Sequence, residues 1–153
     1  MEDQGRMLED YLAQGGSIGE LFGVEPEKLD ALYAYACQRY DAGDIEGARQ
    51  IYLLLVGVDT NRFEYWLALG ISLQQLRRHD EAIFCFSRSA VLRLADPRSS
   101  YLAGLSFQIL GEKERAIMAY SSAIKWCAAH EEHRTLRATA TRTMESLIKG
   151  EEE

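Results

Sequence analysis

Small residues recur on a fixed step along this chain, and that step constrains the fold more than any other feature. Ala36, Gly70 and Gly104 stand 34 residues apart; Ala48, Ala82 and Ala116 follow the same step, and so do the aromatics Tyr52, Phe86 and Tyr120. Leu32 and Trp66 hold the large position four before the small residue, and Leu73 and Phe107 the one three after it. The first unit departs at the latter position, where Arg39 stands beside Tyr40. Apolar residues within each unit return at three and four positions, as in 29–36, which is helical spacing. Pro26 and Pro97 each precede a long amphipathic stretch, where a fixed φ helps a helix start.

A period of 34 with small, small and aromatic residues at these offsets resembles the tetratricopeptide repeat, whose unit is two antiparallel helices. The predicted fold is therefore all-α: three tetratricopeptide units in a right-handed helical solenoid, with an N-terminal helical segment and a C-terminal capping helix. The expected boundaries are 1–28 for the N-terminal segment, 29–62, 63–96 and 97–130 for the units, and 131–153 for the cap helix and acidic tail. Only Gly or Ala lets two helix axes approach to about 8 Å where they cross. The aromatic on the second helix is expected to fill the space between one unit and the next. Gly43 and Gly111 mark the turns between helices, with Arg77-Arg78-His79-Asp80 serving in the middle unit. Stacked units leave an apolar face open at each end. Leu136, Ala140, Met144, Leu147 and Ile148 form the stripe of a closing helix. At the front, Met7, Leu8, Tyr11 and Leu12 share a face, Gly15-Gly16-Ser17 breaks it, and Ile18, Leu21 and Phe22 follow. This segment either folds back as a cap or pairs with a second copy.

In such a stack the first helices line a concave face. The residues predicted there are Tyr33, Cys37 and Tyr40; Leu67, Ile71 and Gln74; and Tyr101, Leu105 and Gln108. The set is apolar where an idle groove would carry charge, and contiguous exposed apolar surface signals an interaction site. Three first helices at about 10 Å spacing make a trough of about 20–30 Å. At about 3.3 Å per residue, roughly six to nine residues of an extended peptide would cross it.

Composition excludes several classes. Against 17 basic side chains stand 24 acidic ones, a net charge of −7, the wrong sign for a polyphosphate. No run of eighteen apolar residues offers a membrane span, and the start Met1-Glu2-Asp3-Gln4 is acidic where a secretory leader is positively charged. A cytosolic chain with reduced Cys37, Cys85 and Cys127 is expected, with Cys85 and Cys127 in the core and Cys37 reachable. His130-Glu131-Glu132-His133 has its histidines three apart where a zinc helix needs four. Ser87, Ser89, Ser99 and Ser100 lack a His and acid partner. No enzyme, metal or cofactor is expected. Arg134, Arg137 and Arg142 read as the solvated face of the last helix, or as a surface for an acidic partner such as a secretion sorting platform.

The order Gly15-Gly16-Ser17-Ile18, Leu32-Tyr33-Ala34-Tyr35-Ala36, Tyr40-Asp41-Ala42-Gly43-Asp44, Tyr65-Trp66-Leu67-Ala68-Leu69-Gly70 and Asp96-Pro97-Arg98 resembles the class II chaperones of bacterial type III secretion. Cys85-Phe86-Ser87-Arg88 and the run from Asp96 to Tyr101 look closest to their enteric branch, which serves attaching-and-effacing or related systems. The resemblance spans roughly Leu8 to Leu147. It implies a protein of the bacterial cytoplasm that keeps hydrophobic translocators soluble before export. It also implies that the concave face takes a segment from near the client's N-terminus, with Tyr33 and Tyr40 as contacts and Cys37 where relatives often place an aromatic. Members are often dimers through the N-terminal helices, which favours pairing for Met7, Leu8, Tyr11 and Leu12. Two other readings stand beside this one: a tetratricopeptide adaptor joining secretion or transcription components, and a clientless oligomer whose trough holds its own N-terminal segment.

Overall fold

The computed structural model describes residues 2–150, and the chain there is helical throughout. After α1 (Glu2–Ala13) and the single turn α2 (Ile18–Leu21) come three helix pairs. These are α3 (Pro26–Asp41) with α4 (Ile45–Val58), α5 (Phe63–Gln75) with α6 (His79–Leu92), and α7 (Arg98–Ile109) with α8 (Lys113–Cys127). A 3-10 turn over Glu131–His133 leads into α9 (Arg134–Lys149). Pro26 opens α3 and Pro97 caps α7. Asp44 caps α4 by accepting a hydrogen bond from the Gly47 amide at 3.0 Å. Each helix packs on the next along the chain, from α3 through to α9.

The three turns inside the units are copies of one another. Gly43, Arg77 and Gly111, again 34 apart, all adopt left-handed backbone, with φ of 91°, 64° and 76°. In each, the amide that follows bonds back to the helix: Asp44 to Arg39 O, Arg78 to Leu73 O and Glu112 to Phe107 O, all at 2.9 Å. That is the Schellman closure of a helix end, which glycine enters without strain and arginine does not.

At the helix crossings the expected close approach is present, and the aromatic partner sits elsewhere than anticipated. A Cβ on Gly70 would lie 2.6 Å from Cε1 of Phe86, and one on Gly104 would lie 2.5 Å from Cε1 of Tyr120. The rings thus rest on the glycine of their own unit instead of filling the gap to the next. The physical reason is local: a missing Cβ leaves a hollow on the first helix, and a flat ring facing it from the second helix fills it. Ala36, Phe86 and Tyr120 are buried, with Tyr120 fully so.

Between the second and third units the seam is polar. Ser89 and Ser99 are fully buried with their hydroxyls 2.6 Å apart, and Ser89 also donates to Phe86 O. His79 Nδ1 lies 3.0 Å from Ser106 Oγ. Cys85 and Cys127 are buried as expected.

The two ends differ. On α9, Ala140 is fully buried against the stack, Leu136, Met144 and Leu147 are half-buried, and Ile148 is exposed. At the front, α2 lies on α4, with Gly19 against Val58, and Asn61 Nδ2 donates to Gly15 O at 2.9 Å. Tyr11 turns back onto its own loop, covering Gly16 and donating to Glu20 Oε2 at 3.1 Å. Met7, Leu8 and Leu12 of α1 stay exposed, Met7 by 70%. Within the N-terminal segment, α2 therefore folds back onto the stack, while α1 keeps an open apolar face.

Candidate functional site: the inner trough

The first helices α3, α5 and α7 carry the nine predicted trough residues in three rows, at three before, one after and four after the small marker. Helical geometry puts such positions on one face. The row of Tyr33, Leu67 and Tyr101 and the row of Cys37, Ile71 and Leu105 make an apolar floor. The row of Tyr40, Gln74 and Gln108 makes a polar edge. Seven of the nine are half-buried and Gln108 is exposed. Leu67 is the exception: only 6% exposed, it belongs to the core beneath the floor and is not an open contact. Its equivalents in the other two units are the longer Tyr33 and Tyr101, which reach the surface where leucine does not.

The floor is stiffened by aromatic pairs. Tyr33 lies 5.8 Å from Tyr52 and 5.5 Å from Tyr65, and Tyr101 lies 5.9 Å from Tyr120, all tilted. Thus the inner tyrosine of a unit rests on the marker aromatic of its own second helix. Burial, together with the neighbouring Cys37, pushes the Tyr33 hydroxyl up to about 12, so it stays a neutral hydrogen-bonding group. The Tyr52 hydroxyl donates to Cys37 Sγ at 3.3 Å, so the half-buried thiol has a partner in the wall.

Along the polar edge, the Gln74 amide donates to Leu102 O and to Ser106 Oγ, both at 2.9 Å, bracing the second unit to the third. Tyr120 donates to Gln108 Oε1 at 2.7 Å. Beyond Gln108 the trough meets α9, where Thr139, Arg142, Thr143 and Ser146 line a cleft of about 440 Å³ with it. Arg142 is exposed, as expected, and also borders the end of the trough.

Sequence reasoning missed the opposite rim. Asp30, Glu64 and Arg98 repeat six before the marker, on the 34-residue step that revealed the other rows. Asp30 pairs with Arg62 at 3.2 Å, Glu64 pairs with Arg93, and Arg98 pairs with Asp96 at 2.7 Å. Arg93 and Arg98 both lie over the buried Phe63 ring, at 4.5 and 5.2 Å. Met7, Leu8, Tyr11 and Leu12, the set expected to pair with a second copy, lie apart from all of this on α1.

His130 and His133 meet edge to face at 6.2 Å, and no group of three metal-ligating side chains gathers among the described residues. Nor is any described helix long and apolar enough to cross a membrane.

Paired helices, small-residue crossings, left-handed turns and an apolar inner face together define a tetratricopeptide array. The tetratricopeptide repeat family matches residues 29–56, 63–90 and 97–130, and the chain belongs to it. Within that family it is similar over nearly its whole length to class II translocator chaperones of type III secretion. It is 26% identical to the low calcium response locus protein H of Yersinia pestis, over 92% of this chain and 83% of that protein. Its fold matches a type III secretion complex from Aeromonas hydrophila with a TM-score of 0.92 at 29% identity, covering 96% of this chain and 98% of the other. PcrH of Pseudomonas aeruginosa in complex with the chaperone binding region of PopD matches with a TM-score of 0.82 at 28% identity, over 84% and 97%.

Proposed function

We propose that this protein is a chaperone of a bacterial type III secretion system, holding an extended segment of a hydrophobic translocator in its inner trough and keeping that client soluble before export. The observation that carries this reading is the floor itself. Tyr33, Ile71, Tyr101 and Leu105 form an apolar strip, half open to solvent, and PcrH, a relative of the same fold, is described in complex with the chaperone binding region of PopD. Sequestration works by mass action: a bound segment is withdrawn from aggregation and from premature membrane insertion. It needs no nucleotide, cofactor or catalytic step, and the protein would act in the bacterial cytoplasm. The chain divides for this purpose into a front segment, 1–28, three units across 29–130, and the closing segment 131–153. The exposed face of Met7, Leu8 and Leu12 is offered to a second copy, while Tyr11, expected with them, is taken up by its own loop.

The test is co-expression with a type III translocator that co-purifies with the wild-type protein. Ile71→Glu or Leu105→Glu, at half-exposed floor positions, is expected to leave the client insoluble while helical circular dichroism is unchanged. Phe84→Glu, remote from the trough on α6, should keep the client in solution. Soluble, co-purifying client with both floor variants would refute the reading. Leu67→Glu is unsuitable, because a charge at that buried position destabilises the fold itself.

A further inference from the structure

The polar edge of the trough carries two glutamines on the same register of α5 and α7, and the protein has set their amides in opposite senses. A carbonyl oxygen only accepts, so the 2.9 Å contact with Leu102 O fixes which end of the Gln74 amide is NH2. That NH2 is shared with Ser106, which occupies both of its hydrogens. Its Oε1 bonds nothing in the chain, and it is open to solvent: the buried side-chain atoms lacking a partner are Tyr65 Oη and His79 Nε2 among the described residues. Gln108 is arranged the other way. Its Oε1 accepts from the fully buried Tyr120 at 2.7 Å, a length typical of an O–H donor, which leaves its NH2 free at an exposed position.

From this we infer that Gln74 and Gln108 read the main chain of the client, Gln74 accepting one backbone N–H and Gln108 donating to one backbone C=O. The inference rests on the trough reading above and deepens it. An extended segment laid on the apolar floor loses water from its peptide groups, and each must find a new partner. Apolar pockets fix side chains but leave those groups unmet. Two pre-set amides on neighbouring helices, about 8–10 Å apart, meet peptide groups roughly three residues apart. Because the brace to Leu102 and Ser106 holds Gln74 in place, its acceptor is oriented before the client arrives. Proline has no N–H, so the client residue facing Gln74 cannot be proline, whatever else the sequence there allows.

The experiment uses the full chain and ten-residue synthetic peptides tiled along the co-purifying translocator. The tightest binder is then remade with a single backbone N-methyl group at each position in turn. With the wild-type protein, one interior position is expected to lose about tenfold in affinity beyond its neighbours, the worth of one hydrogen bond that cannot be remade. With Gln74→Met that selective loss should shrink below twofold. Gln74→Glu keeps an acceptor but has no NH2 to donate to Leu102 O, so it loses the brace and the selective loss should shrink there too, while retained binding of the unmethylated peptide and unchanged helical circular dichroism show that both variants fold. Gln108→Met should weaken every peptide alike and leave the sensitive position in place. A wild-type scan with no single sensitive position, or one sensitive in Gln74→Met as well, overturns the inference while the trough reading stands. If no peptide binds the wild type, the trough reading falls and takes this inference with it.

Discussion

On the side of the second helices, the cleft between α4 and α6 and its counterpart one unit on, formed by α7 and α8, fall on the same 34-residue step and differ in chemistry. The first is a cleft of about 460 Å³ floored by Trp66, Leu69 and Leu73, walled by Leu53 and Phe84, and rimmed by Arg49, Arg78, Asp80 and Glu81. Its copy encloses about 260 Å³ and keeps Phe107, Arg115, Met118, Ala119 and Ser122. At equivalent positions Phe84 becomes Met118, Cys85 becomes Ala119, Trp66 becomes Ser100 and Leu53 becomes Ser87. What is repeated is the set that lets helices cross and turn. What is not repeated gives each unit its own surface.

The strongest way to break that comparison is to attack the shared part. Gly70→Leu and Gly104→Leu should each destabilise by about 2–3 kcal/mol through overpacking against a buried ring. For a chain of this size that is a fall in melting temperature of roughly 4–12 °C. Equal losses would establish the two crossings as equivalent; a neutral result at either would show that its ring has room to move.

The same division explains what the sequence discloses. The 34-residue step identifies the helices, the crossings and even Arg77 as the occupant of a glycine's turn, because those positions answer to backbone geometry alone. It does not disclose which neighbour an aromatic faces, since a period names equivalent residues without saying which side of the helix pair they close. Hence Phe86 and Tyr120 were expected between units and lie within them. Leu67 is expected on the open floor because its row is right, but a row does not say whether a side chain is long enough to reach the surface, as Tyr33 and Tyr101 do and Leu67 does not. Nothing in the pattern marks Ser89 and Ser99 as buried, because their burial rests on two hydroxyls from different units satisfying each other. The senses of Gln74 and Gln108 depend on Leu102 O and the Tyr120 hydroxyl, contacts from other helices that no local pattern encodes. For α1, an apolar face on an isolated helix names no partner.

A smaller effect separates the units by titration. Burial pushes the Cys85 thiol up to about 12, whereas the third unit has Ala119 and nothing to titrate. An unfolded chain releases that proton near pH 8.5, while the folded chain keeps it. The unfolded state then binds fewer protons, so stability is fully present below about pH 8.5 and falls as pH rises towards 12, by about 1.4 kcal/mol per unit. Cys127, also raised by burial, acts in the same direction, and the buried tyrosines join above about pH 10. Denaturant midpoints at pH 7 and 9.5 should therefore diverge, and Cys85→Ala should remove the larger share. An unchanged difference in Cys85→Ala would mean the thiol is not sealed.

Arg77 tests the turns. It is the non-glycine residue in left-handed backbone among the described residues, at a position where the other two units have glycine. Arg77→Gly is expected to stabilise by about 1 kcal/mol, the strain relieved exceeding the added freedom of the unfolded chain. Urea unfolding would show it as a higher midpoint with an unchanged slope, and a loss would show that the arginine side chain contributes more than its backbone costs.

The finest test exchanges the residues that make the two outer troughs unlike. Phe84 is 59% exposed, yet its ring meets the edge of Trp66 at 6.1 Å, and Arg88 covers the other part of that indole at 5.5 Å. Phe84→Met writes the third unit's residue into the second and should cost about 0.5 kcal/mol, the value of an aromatic pair at a largely solvated site. The reverse exchange, Met118→Phe, should gain nothing measurable, because Ser100 stands where an indole would be needed. Were both exchanges neutral, the pairing of Phe84 with Trp66 would contribute nothing, and the cleft's distinct shape would rest on Leu53, Leu69 and Leu73 alone. Were Met118→Phe stabilising, the copy would have its own means of holding a ring, and the difference between the units would lie in side-chain volume and not in a specific contact.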